Sequence, residues 1–150
     1  MAYPDGIVKQ TTYWPLLLFS KYMRGRTLAS SVRSAAYAGI TEPEWLYGTV
    51  DLPVLDVSAA LGDDGFVNLA VVNVHESKAF TTSVPMTEGE VQVFTIGGDV
   101  NGLRDSNIAG NEKVYIRESR WDGKGRMFTF EKHSFTLLRW EALKTLAPPC

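Results

Sequence analysis

The chain has 150 residues, of which 45% are hydrophobic and 21% are charged, and these values are ordinary for one globular domain. Its 15 basic and 17 acidic residues leave a net charge of −2, which gives no electrostatic reason to expect nucleic acid or an anionic membrane as a partner. The one cysteine, Cys150, excludes an intrachain disulfide. The first residues lack the apolar stretch of a secretory signal, and the sequence leaves the localisation open.

An apolar helix is predicted near the N-terminus, over residues 11–24. Pro15 falls in its first turn, where the missing N–H costs little, and Gly25 follows its last apolar residues. Only Ser20 and Lys21 interrupt the central run of apolar side chains, and a helix that is apolar on all sides is expected to be buried on all sides. The apolar run of about a dozen residues is too short to cross a bilayer. The sequence therefore predicts a docking face that consists of Trp14, Leu17, Leu18 and Tyr22.

After the helix, the pattern changes to short strands separated by turns that are rich in Gly and Asp. The run at 66–75 is apolar on both faces, as a central strand would be, and GDDG at 62–65 is suited to a tight reversal. Strands are predicted over 27–40, 53–61, 66–75, 78–86, 90–96, 113–119, 126–133 and 134–143. Seven or eight short strands with such turns favour a mainly β fold, an antiparallel β-sandwich with one N-terminal apolar helix.

A long polar segment interrupts the strands at 97–112, with three Asn, two Asp and four Gly. Asn and Gly are common in turns, so a surface connection is the simpler interpretation of this segment. Long loops also carry functional residues, and a binding role is the alternative.

Residue patterns for catalysis or metal binding are not found in the sequence. Most carboxylates lie in turns, where Asp commonly accepts backbone hydrogen bonds. Asp63, Asp64 and Asp99 together offer enough oxygen ligands for Ca²⁺, but their spacing matches no known loop such as the EF-hand. His75 and His133 lack partners at metal spacing. The sequence therefore predicts no catalytic residue, no metal site and no cofactor.

Trp121 and Asp122 are the candidate carbohydrate contacts. Flat aromatic faces bind sugar rings, and Trp121 lies beside Asp122 and Gly123 in a predicted turn, where exposure is expected. Packing in the core is the default for Trp in a small domain and is the alternative interpretation.

Five stretches of the chain resemble one family when their order and spacing are considered together. The stretch YPDGIVKQTTYWPLLLFSKYMRGRTL (3–28) resembles the last barrel helix of the α-L-arabinofuranosidases of glycoside hydrolase family 51. LDVSAAL (55–61) followed by GFVNLAVVNVHES (65–77) is similar to paired strands of that family's C-terminal domain. GGDVNGLRDSNIAGNEKVYIRES (97–119) resembles a loop of the same domain, and FTFEKHSFTLLRWEA (128–142) resembles its closing strand.

The resemblance implies a jelly-roll type of sandwich that packs against a (β/α)₈ barrel, and the barrel carries the two catalytic Glu of a retaining hydrolase. Such enzymes remove terminal α-L-arabinofuranosyl groups from arabinan and arabinoxylan. The implied division of the chain is a terminal helix at 1–26, a β-sandwich domain at 27–146 and a tail at 147–150. No catalytic motif of the family matches Glu42, Glu44, Glu76, Glu88, Glu90, Glu112, Glu118, Glu131 or Glu141.

The resemblance thus implies a non-catalytic C-terminal domain, and the chain alone is predicted to be inactive. Its expected partners are a catalytic barrel domain, an arabinose-containing polysaccharide reached through the parent enzyme, and a second copy of the chain. Two alternatives remain open at this point. The chain could be a stand-alone carbohydrate-binding module that uses Trp121 and the 97–112 loop, or a protein-interaction module that uses the apolar helix.

Overall fold

The computed structural model describes residues 2–3, 6–37, 53–85, 87 and 89–142. The predicted tail at 147–150 and the part of the first predicted strand beyond residue 37 lie outside this range. The described elements, in chain order, are β1 (Ala2–Tyr3), β2 (Gly6–Ile7), α1 (Tyr13–Tyr22), β3 (Arg26–Leu28), β4 (Leu55–Leu61), β5 (Phe66–Asn73), β6 (Phe80–Ser83), β7 (Val91–Gly97), β8 (Asn107–Ile108), β9 (Asn111–Glu112), β10 (Arg117–Trp121), β11 (Met127–Phe130) and β12 (Ser134–Glu141). A mainly β fold with one α-helix is confirmed for this part of the chain.

A six-stranded sheet forms the centre of the domain, with the strand order β10-β7-β12-β5-β4-β3. Its strands pair antiparallel throughout, as do the short pairs β1–β2, β6–β11 and β8–β9. β5 lies between β12 and β4, as its continuous apolar pattern predicts. The GDDG turn at 62–65 joins β4 to β5, as predicted, and Asp64 Oδ1 accepts a hydrogen bond from the N–H of Phe66.

The two faces of the sheet bury different clusters of side chains. Leu137 and Leu138 are neighbours on β12 and are both fully buried, and side-chain alternation sends them to opposite faces. Leu137 packs with Ala70, Phe94 and α1, whereas Leu138 packs with the side chains of β6 and β11. The sheet therefore has the helix on one face and the β6–β11 pair on the other, and each fully buried Leu contributes about 1.5–3 kcal/mol.

Gly25 makes the sharp passage from α1 to β3 possible. Its backbone has φ +107°, and a Cβ at this position would collide with the carbonyl oxygen of Leu61. Glycine is the one residue that satisfies both conditions without strain.

Two strand predictions are wrong in their extent. Over the described residues 27–37, the strand predicted at 27–40 is confined to β3, with one isolated bridge between Ala36 and Pro53 farther along. The intervening residues are rich in Ala and Ser and offer little side-chain surface to a pleated sheet. The strand predicted at 113–119 is displaced, because β10 begins at Arg117 and includes Trp121.

Candidate functional site

Asp64 and Asp105, two of the carboxylates expected to lie in turns, are held by cations and by backbone N–H groups. Arg139 donates to Asp64 at 2.8 Å, and this hydrogen bond holds the pKa of the Asp64 carboxyl below its ordinary value of 3.8. The N–H of Gly102 and the ammonium of Lys113 similarly lower the pKa of Asp105. A general acid needs a raised pKa, so these shifts have the wrong sign for acid catalysis at neutral pH.

The three aspartates considered for Ca²⁺ are not brought together. Asp63 and Asp64 lie beside the end of β12 that contains Glu141, and Asp99 lies beside the end that contains Ser134. Those ends are seven residues apart, about 23 Å along the strand. Within the described ranges, no group of three or more His, Cys, Asp or Glu side chains is placed to hold a metal ion.

Glu131 joins three parts of the sheet. Its carboxylate accepts two hydrogen bonds from Arg117, at 2.8 and 3.3 Å, and a third from the N–H of Asp99 at 2.7 Å. Arg117 also donates to the carbonyl of Gly97. Burial alone would raise the pKa of Glu131, but these hydrogen bonds and the charge of Arg117 outweigh it, and the pKa lies below its ordinary value of 4.5.

Glu131→Gln is expected to weaken the acid sensitivity of the fold. Because the pKa of Glu131 is lower in the folded than in the unfolded state, its contribution is present above pH 4.5 and is lost as the pH falls through the folded value. The variant should lose about 1 kcal/mol at pH 7 and less at pH 3. Urea unfolding at both pH values measures this difference, and an equal loss at the two values would contradict it.

The inner side of α1 packs on the chain's own sheet. Leu18 is 2% exposed and belongs to the same buried cluster as Phe94 and Leu137, with the half-buried Trp14 and Tyr22 on either side along the helix. Three of the four residues expected to form a docking face are therefore already covered by this chain.

A second apolar row lies on the outer side of α1, and we call it the outer stripe. It comprises Tyr13, Leu16 and Leu17, at the i, i+3, i+4 spacing that places side chains on one helix face. Leu16 is 69% exposed, and Tyr13 and Leu17 are 40% and 36% exposed. The helix expected to be buried on all sides is thus covered by this chain on one side. No described helix is long and apolar enough to span a membrane.

A buried asparagine fixes the N-terminal end of α1. Asn107 is 1% exposed, and its side-chain amide donates to the carbonyls of Lys9 at 2.8 Å and Val114 at 2.6 Å. Its Oδ1 accepts the N–H of Val114, and Trp14 Nε1 donates to the carbonyl of Val114 at 2.7 Å. The 97–112 segment contains the short hairpin β8–β9, and this set of bonds fastens it to the residues that precede the helix.

The candidate carbohydrate contacts lie at the far end of β10 from that segment. Trp121 is half-buried and packs edge-on against Phe128 at 5.2 Å, while Asp122 accepts a hydrogen bond from the N–H of Lys124. β10 places Trp121 about 13 Å from Arg117, which borders the 97–112 segment. The length of β10 therefore separates Trp121 from the strand end that borders the 97–112 segment.

The order of these elements, an N-terminal helix followed by an antiparallel sheet, agrees with a family match over most of the chain. The family described as the α-L-arabinofuranosidase C-terminal domain matches residues 1–134. The chain belongs to this family. The resemblance to the C-terminal domain of family 51 arabinofuranosidases is thereby confirmed.

Curated relatives agree with this assignment. The probable α-L-arabinofuranosidase C of Aspergillus terreus is 54% identical over 142 residues, which are 95% of this chain and 28% of that protein. The α-L-arabinofuranosidase C of Emericella nidulans is 50% identical over 142 residues, which are again 95% of this chain and 28% of that protein. The chain thus spans a little over a quarter of the length of these relatives.

Solved structures support the fold. The family 51 α-L-arabinofuranosidase of Thermotoga petrophila superposes with a TM-score of 0.72 at 18% identity, over 93% of this chain and 30% of that one. The family 51 enzyme of Xanthomonas axonopodis gives a TM-score of 0.66 at 20% identity, over 88% of this chain and 26% of that one.

Proposed function

We propose that this C-terminal domain is non-catalytic and that α1 joins it to the catalytic barrel of an α-L-arabinofuranosidase. The observation that carries the proposal is the outer stripe, because a domain of this size rarely leaves an apolar helix face open unless another surface covers it. In the proposed arrangement, α1 is the last barrel helix. Trp14, Leu18 and Tyr22 hold it on the sheet, while Leu17 and the rest of the outer stripe contact the barrel.

The proposed domain limits follow the same scheme. Residues 1–26 form the barrel-side helix segment, 27–146 form the β-sandwich, and 147–150 form a tail. A mainly apolar cleft of about 510 Å³ lies on the face of the sheet that also carries β6, which supports a sandwich in which a second layer packs on this face. Its apolar lining includes Leu55, Val57, Val71 and Trp140.

The proposed parent enzyme is a retaining hydrolase whose barrel supplies both catalytic Glu residues. Its substrates would be arabinan and arabinoxylan, from which it removes terminal α-L-arabinofuranosyl groups. A second copy of the chain is a further proposed partner. The described carboxylates with shifted pKa values are stabilised in the ionised form, which supports a structural role for them.

A stand-alone carbohydrate-binding module is the alternative, with Trp121 and Asp122 as the contact. The half-buried state of Trp121 leaves part of its ring for such a contact, but its packing on Phe128 favours a core role. Retention of the 150-residue chain on insoluble arabinan would favour the module.

An activity assay separates the domain proposal from an enzyme acting alone. The isolated chain should show no turnover of an aryl α-L-arabinofuranoside, while the full-length protein should hydrolyse it. Turnover by the isolated chain would contradict the non-catalytic role, and an inactive full-length protein would contradict the arabinofuranosidase assignment.

Leu16→Asp is expected to have different effects in the isolated chain, where the outer stripe is exposed, and in the full-length enzyme, where the barrel would cover it. In the isolated chain it should reduce self-association, because it breaks an exposed apolar patch, and it should change the unfolding free energy by less than about 0.5 kcal/mol. In the full-length enzyme it should cost at least about 2 kcal/mol, because a carboxylate would enter an apolar interface. Sedimentation and denaturant unfolding measure both effects.

Leu103→Asp is the matched control, because Leu103 is 57% exposed and lies outside the helix. It should leave both the association state and the stability of the full-length enzyme near the wild-type values. Equal behaviour of the two variants in the full-length enzyme would contradict the proposed interface.

A further inference from the structure

The residues before α1 and the hairpin β8–β9 form one hydrogen-bonded unit. Asn107 donates through Nδ2 to the carbonyl of Lys9 at 2.8 Å, and Gln10 Nε2 donates to the carbonyl of Asn107 at 3.3 Å. Trp14, in the first turn of the helix, donates to the carbonyl of Val114 at 2.7 Å. The position of the 107–115 segment is therefore fixed relative to the N-terminal end of α1.

The direction of α1 indicates where this hydrogen-bonded unit lies relative to the barrel, an inference that rests on the proposed function. In a (β/α)₈ barrel, the active site is built from the loops that lead from each strand into the following helix. If α1 is the last barrel helix, residues 6–12 belong to such a loop. The 107–115 segment, which is bonded to that loop, then lies at the catalytic face of the barrel.

Trp121 lies toward the opposite end of the helix. Arg139 stacks on the ring of Tyr22 in the last turn of α1, with 5.0 Å to the ring centroid, and pairs across the sheet with Gln92. Gln92 in turn pairs with Arg120, the neighbour of Trp121. The C-terminal end of a barrel helix points away from the catalytic face, so Trp121 is poorly placed to meet the substrate.

Exposed side chains suited to a sugar chain flank the hydrogen-bonded unit. Ile108 follows Asn107, Tyr115 follows Val114, and both exposed side chains are open to solvent by 53%. A tyrosine offers a flat apolar ring and a polar hydroxyl with few rotatable bonds, which suits the C–H face and hydroxyls of a sugar. The polar residues at 111–113 between them are also exposed and add hydrogen-bonding groups.

We propose that the 107–115 segment, through Tyr115, binds the polysaccharide chain that carries the arabinofuranosyl group to be removed. The barrel would hold the terminal sugar, and this domain would contact the polymer beyond it. The C-terminal domain then contributes to the choice between polymeric and small substrates. The end of the 97–112 loop, from Asn107 onward, thereby has a binding role that does not involve Trp121.

The test compares two substrates with the full-length enzyme. An aryl α-L-arabinofuranoside carries no polymer, whereas branched arabinan does, so the ratio of the two kcat/KM values isolates contacts with the chain. Tyr115→Ala should lower the arabinan-to-aryl ratio by about five- to tenfold, the loss of one aromatic contact. Tyr115→Trp keeps a flat ring and should restore most of the ratio.

Met127→Ala is the matched control, since Met127 is 51% exposed on β11, close in sequence to the Trp121 turn. It should keep the ratio within about twofold of wild type. A wild-type ratio in Tyr115→Ala, with the enzyme active on the aryl substrate, would overturn this proposal and leave the proposed function standing. A wild-type enzyme inactive on the aryl substrate would overturn both. If Tyr115→Ala fails to fold, Tyr115→Leu, which removes the ring but keeps an apolar side chain of intermediate size, provides the same comparison.

Discussion

Asn107→Ala should lower the free energy of unfolding by about 3 kcal/mol and release the N-terminal end of α1 from the sheet domain. The substitution removes the acceptor for the N–H of Val114 and the donors for the carbonyls of Lys9 and Val114, all in a buried environment. Buried polar groups that lose their partners cost more than an average hydrogen bond gains. Urea unfolding followed by tryptophan fluorescence measures the loss.

A second measurement shows where the loss acts. Amide exchange at Val114 and proteolysis within 6–12 should both accelerate, because the variant cuts the link between that segment and the hairpin. Asn111→Ala is the control, since Asn111 lies in the same hairpin with an exposed side chain, and a loss below about 0.5 kcal/mol is expected. Equal losses in the two variants would contradict the special role of Asn107.

The sequence could not distinguish Asn107 from the other asparagines of the 97–112 segment. In local context all three fit turns, which is why a surface connection is the simpler interpretation. What sets Asn107 apart is contact with residues 97 and 98 positions away. Such contacts depend on how the sheet folds around the helix, and no local pattern encodes them.

Elements with a strong local period were predictable. The continuous apolar run of β5 indicates a central strand because both faces of such a strand are buried, and the sheet order agrees. The helix was equally clear from its apolar run. Which side of the helix is buried could not be predicted, because Leu17 and Leu18 are the same residue type. In the structure, Leu17 is 36% exposed and Leu18 is 2% exposed. The burial of each leucine depends on which side of the helix packs against the sheet.

The pairing of β6 with β11 is a further feature that could not be predicted from the local sequence of either strand. Phe80 pairs with Phe130 and Ser83 with Met127, across more than forty intervening residues that include β7 and β10. Each strand is predictable from its own alternation, but its partner follows from the packing of Phe130 and Val84 on the sheet. The same limit applies to Trp121. Its neighbours in sequence are typical of a turn and suggested an exposed side chain, whereas packing against Phe128 leaves it half-buried.

Asn73→Ala should be about as damaging as the loss of Asn107, at about 3–4 kcal/mol, because Asn73 ties the central sheet to the β6–β11 layer. It is 1% exposed, and its Nδ2 lies within hydrogen-bond distance of the carbonyls of Lys78, Phe130 and Glu131, at 3.0, 3.2 and 2.9 Å. Its Oδ1 accepts the N–H of His75 at 3.0 Å. One side chain thus satisfies groups from the ends of three segments.

Asn73→Asp distinguishes hydrogen bonding from packing at this position. Aspartate has nearly the shape of asparagine and keeps the acceptor for His75, but it turns a carboxylate oxygen toward the carbonyls that Nδ2 now satisfies. If donation holds the layers together, unfolding at pH 7 should show a loss at least as large as for alanine. A loss below about 1 kcal/mol would mean that shape alone matters. Lys78→Ala, which leaves the backbone acceptor in place, should stay within about 0.5 kcal/mol of wild type.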